Sequence, residues 1–153
     1  YILEMRVLRV PMSSNILNIL TAQNSGEPSN FDRAVMELSA GRKTSHWIWF
    51  ILPQLKSLGR SPTAIFYGID DLEEAKLYLQ NELLAERLEI IVDLIFDQII
   101  VKRNELEDLM GSRIDAIKTV SSLTLFENAG FESASKVLNE TGRCEKTLLL
   151  INK

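Results

Sequence analysis

The chain is poor in the residues that build disulfides and zinc sites. It has one cysteine, Cys144, and one histidine, His46, among 153 residues. One cysteine cannot form an intrachain disulfide, and these two residues are too few for a zinc site of nitrogen and sulfur ligands. We therefore expect a metal-independent protein without a cofactor, folded in a reducing compartment such as the cytoplasm. Export by a secretion system that needs no cleavable signal stays open.

The chain also lacks a surplus of positive charge and any long apolar run. Lys and Arg number 17 against 21 Asp and Glu, which gives a net charge of −4. Proteins that bind the phosphate backbone of nucleic acids normally carry a basic surplus. No apolar run approaches the roughly 20 residues that cross a bilayer. We expect a soluble protein with no nucleic-acid partner and no membrane span, and its oligomeric state stays open.

Apolar residues are plentiful, and their spacing predicts helices. They make up 46 % of the chain, and they recur every three to four residues between glycines, prolines and residues that can cap helices. The predicted caps include Ser61, Asn81, Ser112 and the capping-box pair Asp70 and Glu73. The pattern predicts one all-α domain of about nine short helices over residues 12–153. Residues 1–11 end in a proline and precede Met12, a possible start residue, so we interpret them as an N-terminal extension.

The most unusual stretch is 41–54, which contains both tryptophans and the histidine. A helix beginning near Ser45 would present free backbone amides beside the side chains of Arg42 and Lys43. Free amides next to cations suit a phosphate or carboxylate ligand. Trp47 and Trp49 could stack a planar ring, and His46 could act as an acid or base. The alternative is that the tryptophans are core anchors and the histidine a satisfied polar group. The other candidate ligand-binding residues of this region are Arg42, Lys43, Gln54, Arg60, Ser61 and Tyr67.

A second unusual stretch, 115–126, combines a lysine with several hydroxyl residues. On a helix, Lys118, Ser121 and Ser122 share one face, and Thr124 follows in the same run. Serine and threonine are mediocre helix formers, so they either hold ligand oxygens or bond back to carbonyls at i−4. A polar seam for close helix packing is the alternative.

The segment around the tryptophans resembles the signature of a known family. The run from Ala40 to Pro62 contains Gly-Arg-Lys-x-Ser-His-Trp-x-Trp-Phe, and it resembles a small bacterial and fungal family of unknown function whose members are often labelled calpastatin. The resemblance extends over about 16–150. It implies a single all-helical domain in which both unusual stretches belong to one site. Two positions depart from the family pattern: Cys144 replaces an aspartate, and Val120 replaces a polar or basic residue.

Two functions compete on these residues. The first is a hydrolase that cleaves an N-glycosidic bond to ADP-ribose, for example in ADP-ribosylated arginine of a protein partner. Such a bond breaks through an oxocarbenium-like state that a carboxylate normally assists, so Asp115 and Glu127 are the candidate carboxylates. His46 or Lys43 would assist the leaving group or bind phosphate. The second is a non-catalytic module that binds a nucleotide or a peptide in the same groove. A purely structural protein would scatter these residues over its surface.

Overall fold

The computed structural model describes residues 12–153, and the predicted extension 1–11 lies outside them. Within the described range the protein is all-α, with no β-strand and one isolated parallel bridge between Leu55 and Ile69. Ten α-helices, against about nine predicted, form a single compact domain. The helices are α1 (Ser14–Asn24), α2 (Asn30–Ser39), α3 (Ile48–Ile51), α4 (Pro62–Phe66), α5 (Leu72–Gln80), α6 (Glu82–Phe96), α7 (Leu106–Met110), α8 (Arg113–Asn128), α9 (Ala134–Thr141) and α10 (Glu145–Ile151).

Two longer helices organise the core. Helix α6 packs against α2, α5 and α9, and a π-helical turn, Asp97–Val101, continues it. Helix α8 lies against α3, α5, α7, α9 and α10. Because five helices surround α8, the part of its second half from Ser121 to Phe126 is buried. The small hydroxyl residues of this half allow the close packing that bulkier side chains would prevent.

The hydroxyl groups of α8 are partly satisfied by their own helix. Thr119 Oγ1 donates to the Asp115 carbonyl at 2.8 Å, and Thr124 Oγ1 donates to the Val120 carbonyl at 2.7 Å. The bonding back to i−4 that the sequence suggested is therefore confirmed for the two threonines.

Capping residues set most helix starts, as the sequence predicts. The side chains of Ser61, Asn81 and Ser112 accept the backbone N–H three residues ahead, at the starts of α4, α6 and α8. The predicted capping box at Asp70 is one residue early, because Asp71 accepts the amide that caps α5.

The sequence predicts a helix that begins near Ser45, and this predicted start is wrong. Helix α3 begins at Ile48 and has four residues. The backbone before it follows a loop, residues 41–47, because the amides of Thr44 and Ser45 bond to a carboxylate of α2 instead of opening a helical turn.

Candidate functional site

The loop 41–47 is organised by Glu37, a residue that sequence reasoning missed. Glu37 Oε1 accepts the Thr44 amide at 2.7 Å, the Ser45 amide at 2.8 Å and Trp47 Nε1 at 3.0 Å. Desolvation alone would raise the pKa of Glu37, but hydrogen bonds from Ser45, Thr44 and Trp47 outweigh it and lower the pKa to about 2. The anion at this place is therefore the chain's own carboxylate, and these amides are not free for a ligand.

The same loop is fixed to α7 and α8 through Lys43. The Lys43 amide donates to the Leu109 carbonyl at 2.7 Å, and its ammonium lies 2.7 Å from Asp115 Oδ2. Gly111, at φ +82°, passes so close that a Cβ there would lie 2.8 Å from the Lys43 carbonyl oxygen. Only glycine fits this approach, because it combines a positive φ with no side chain.

The two tryptophans have different environments. Trp47 is 1 % exposed, so its ring presents no face to a ligand and is a core anchor. Trp49 is half-buried, and the Lys118 ammonium lies 5.6 Å from the centre of its ring. The exposed His46 ring lies 6.5 Å from Trp49. Trp49 and Lys118 therefore join the two unusual stretches at one point.

Beside this point lies an open cleft of about 500 Å³ between the start of α4, helix α8 and the start of α10. This volume is within the range of small-molecule sites, roughly 300–1,000 Å³. The residues that line the cleft are Gln54, Ser57, Leu58, Arg60, Ser61, Ala64, Ile114, Ile117, Lys118, Ser121, Cys144 and Lys146.

A second, much smaller space adjoins the cleft, and we call it the inner cavity. Its volume is about 10 Å³, enough for about one water-sized atom. Gln54, Ala64 and Lys118 line both spaces. Trp49 and Tyr67 are further wall residues of the inner cavity.

The cleft is cationic although the protein is acidic. Arg60, Lys118 and Lys146 line it, and none of the ion pairs formed within residues 12–153 involves them. None of the described residues that line it is an aspartate or a glutamate. Ile114 and Ile117 also line the cleft, and they are 65 % and 55 % exposed. The cleft therefore offers unpaired cations beside an apolar surface.

Cys144, the single cysteine and a departure from the family pattern, lines the cleft. Ser121 Oγ lies 3.3 Å from its sulfur, and the Cys144 amide donates to Thr124 Oγ1 at 3.0 Å. Burial would raise the pKa of the Cys144 thiol, but hydrogen bonds from Ser121, Thr147 and the Lys146 amide lower it below its ordinary value. The departure of Cys144 from the family pattern was a sign in the sequence that this position could matter. Nothing in the sequence singled out Lys146.

The remaining predicted residues lie outside both spaces. Asp115 is paired with Lys43, and the Glu127 carboxylate is held by Arg143 at 2.6 Å and by Ser135. The Arg143 hydrogen bonds, the largest influence, lower the pKa of Glu127. The other predicted residues that line neither space are Arg42, Lys43, Ser45, His46, Trp47, Ser122 and Thr124. In the described part of the chain, no group of three His, Cys, Asp or Glu side chains is placed to hold a metal ion.

Comparison with known proteins places the chain in a family. A family model described as "Protein of unknown function (DUF1810)" matches residues 13–147. The chain belongs to this family. The DUF1810 membership confirms the resemblance drawn from the tryptophan segment, and it assigns no reaction.

A solved structure is similar over nearly the whole DUF1810 domain. It is the crystal structure of the conserved hypothetical protein Rv1873 from Mycobacterium tuberculosis, with 36 % sequence identity and a TM-score of 0.80. The match covers 92 % of this chain and 98 % of that one. No curated protein matches the chain.

Within residues 12–153, no helix combines the length and apolar character that a bilayer span requires.

The ionisation of Cys144 is a testable property of the cleft. Because hydrogen bonds lower its pKa, the thiolate that reacts with maleimides forms at lower pH than in an unfolded chain. The rate of modification by N-ethylmaleimide, measured against pH, is expected to have its midpoint below that of a short peptide with the same sequence around the cysteine. An equal or higher midpoint contradicts the hydrogen-bonded environment described here.

Proposed function

We propose that this domain binds a phosphate-bearing, nucleotide-like ligand, such as ADP-ribose, in the cleft. The observation that carries the proposal is the set of three cations, Arg60, Lys118 and Lys146, that line one cleft without a carboxylate partner in the described part of the chain. Cations left unpaired in a concave site favour an anionic ligand, because phosphate forms strong charge-assisted hydrogen bonds with Lys and Arg.

The other walls suit the remaining parts of a nucleotide. Ile114 and Ile117 offer apolar surface to a planar base. Ser61 and Gln54 supply side-chain groups that hydrogen-bond ribose hydroxyls. A ligand with a planar ring, a sugar and phosphate therefore meets a matching group on each wall.

Binding is favoured over the hydrolysis that the sequence predicted. Both candidate carboxylates are engaged elsewhere, Asp115 with Lys43 and Glu127 with Arg143. An N-glycosidase normally needs a carboxylate at the scissile bond. ADP-ribosylhydrolase activity therefore stays a prediction, and incubation with ADP-ribosylated arginine, followed for free ADP-ribose, tests it.

Removal of one cleft cation is expected to weaken binding. Lys118→Met keeps the aliphatic length and removes the charge, so the dissociation constant for ADP-ribose rises about tenfold, the effect of one charge-assisted hydrogen bond. Isothermal titration calorimetry measures it. Lys76→Met is the matched control, because Lys76 is exposed and paired with Glu73 on α5.

The controls separate a specific site from general charge effects. The control variant is expected to bind as the unmodified protein does. The proposal fails if the unmodified protein gives no binding heat with ADP-ribose at millimolar concentration, or if both variants weaken binding equally.

A further inference from the structure

Trp49, a wall residue of the inner cavity, carries a hydrogen-bond donor that the fold leaves unused. Trp49 Nε1 is buried and has no acceptor among the described residues, whereas Trp47 Nε1 donates to Glu37. An indole N–H donates and never accepts. A buried donor without an acceptor is costly, and native structures rarely leave one without a reason.

Lys118 is a second wall residue of the inner cavity whose side chain donates hydrogen bonds. The Lys118 ammonium is 5.6 Å from the centre of the Trp49 ring, and both residues line the inner cavity. An ammonium also only donates. Two donor-only groups at one small cavity select an acceptor, and the positive charge selects an anionic one.

The size of the inner cavity limits what can enter it. About 10 Å³ accommodates one oxygen atom and not a ring. A base or a ribose must therefore stay in the larger cleft, where Ile114 and Ile117 provide the apolar wall.

We infer that Trp49 and Lys118 form an anionic-oxygen subsite that fixes the orientation of the ligand in the cleft. One phosphate oxygen enters the inner cavity and accepts from both Trp49 Nε1 and Lys118 Nζ, while the planar part of the ligand points outward to the isoleucines. This inference rests on the proposed function. It makes Trp49 the residue that selects ligands carrying a phosphate over the corresponding nucleosides.

The two indole N–H signals of the ¹⁵N-labelled protein provide the test, since the chain has two tryptophans. The spectrum of Trp49→Phe assigns them by the signal that disappears. The probes are ADP-ribose, inorganic phosphate and adenosine. ADP-ribose and phosphate are expected to move the Trp49 indole proton downfield, as a new hydrogen bond does, while the Trp47 signal stays in place.

The affinity of Trp49→Phe provides an independent readout. This variant keeps an aromatic ring and loses the N–H, so the dissociation constant for ADP-ribose is expected to rise about tenfold. Its binding of adenosine is expected to stay unchanged. Because one of the two indole signals is expected to shift, an unmodified protein in which neither signal shifts overturns the inference even if the variant does not fold.

Each outcome decides for or against the subsite. ADP-ribose binding that depends on Lys118 but leaves the Trp49 signal in place overturns the inference and leaves the proposed function standing. Equal shifts with adenosine and with ADP-ribose also overturn it, because the acceptor is then not the phosphate. The absence of any ADP-ribose binding overturns both.

Discussion

Glu37→Ala is expected to lower the free energy of unfolding by about 3 kcal/mol. The substitution removes the acceptor of two backbone amides and of the Trp47 indole, all within 3.0 Å of one oxygen. Hydrogen bonds to a charged group contribute roughly 1.5–3 kcal/mol each, and partial exposure of the carboxylate reduces their sum. Urea denaturation at neutral pH measures the loss. Glu73→Ala, an exposed carboxylate on α5, is the control, with an expected change within about 0.5 kcal/mol.

The Glu37 contribution has a defined pH dependence. Its pKa is about 2 in the folded protein against 4.5 for an ordinary glutamate. A lowered pKa means that the stabilisation is complete above pH 4.5 and is lost as the pH falls towards 2. The stability difference between the unmodified protein and Glu37→Gln is therefore expected to shrink over this interval. A difference that stays constant from pH 6 to pH 2 contradicts the assignment.

Lys43→Met is expected to cost about 3 kcal/mol of unfolding free energy. Lys43 and Asp115 form a 2.7 Å ion pair, with side chains 6 % and 18 % exposed. Removal of one partner leaves the other charge partly buried and unpaired, which typically costs roughly 3–5 kcal/mol when both are fully buried. The residual exposure of Asp115 places the expected value at the lower end. Urea denaturation measures this change as well.

The matched control for Lys43 is an exposed ion pair. Lys102 and Asp97 lie 3.5 Å apart with side chains 54 % and 48 % exposed, so Lys102→Met is expected to cost less than about 1 kcal/mol. The double variant Lys43→Met with Asp115→Asn is expected to recover part of the loss, because no unpaired charge remains. Equal costs for the two lysines would show that the Lys43 pair does not anchor the loop.

Much of the fold follows from local patterns in the sequence. Ser61, Asn81 and Ser112 cap helices where predicted, because a cap depends on residues three positions away. Helix α3 departs from its pattern because Glu37, on another helix, takes up the amides that a local reading assigns to a helical turn. This contact between α2 and the loop 41–47 depends on how they pack, so no local sequence pattern predicts it.

The candidate site was likewise only partly predictable from the sequence. Trp49 and Lys118 come from the two stretches whose composition was unusual, so the sequence named both as candidates. It could not separate Trp49 from Trp47, two residues away, because the acceptor of the Trp47 indole N–H, Glu37, lies on another helix. Cys144 and Lys146 reach the cleft through the packing of α10 against α8, a contact that no local pattern predicts. The sequence pointed to Cys144 only through its departure from the family pattern.

The crystal structure of the protein soaked with ADP-ribose tests the central claim most directly. The account predicts ligand density in the cleft, with a phosphate oxygen near the Lys118 ammonium and the adenine against Ile114 and Ile117. Density for ADP-ribose at another surface, or an empty cleft at a concentration where calorimetry shows saturation, would contradict it.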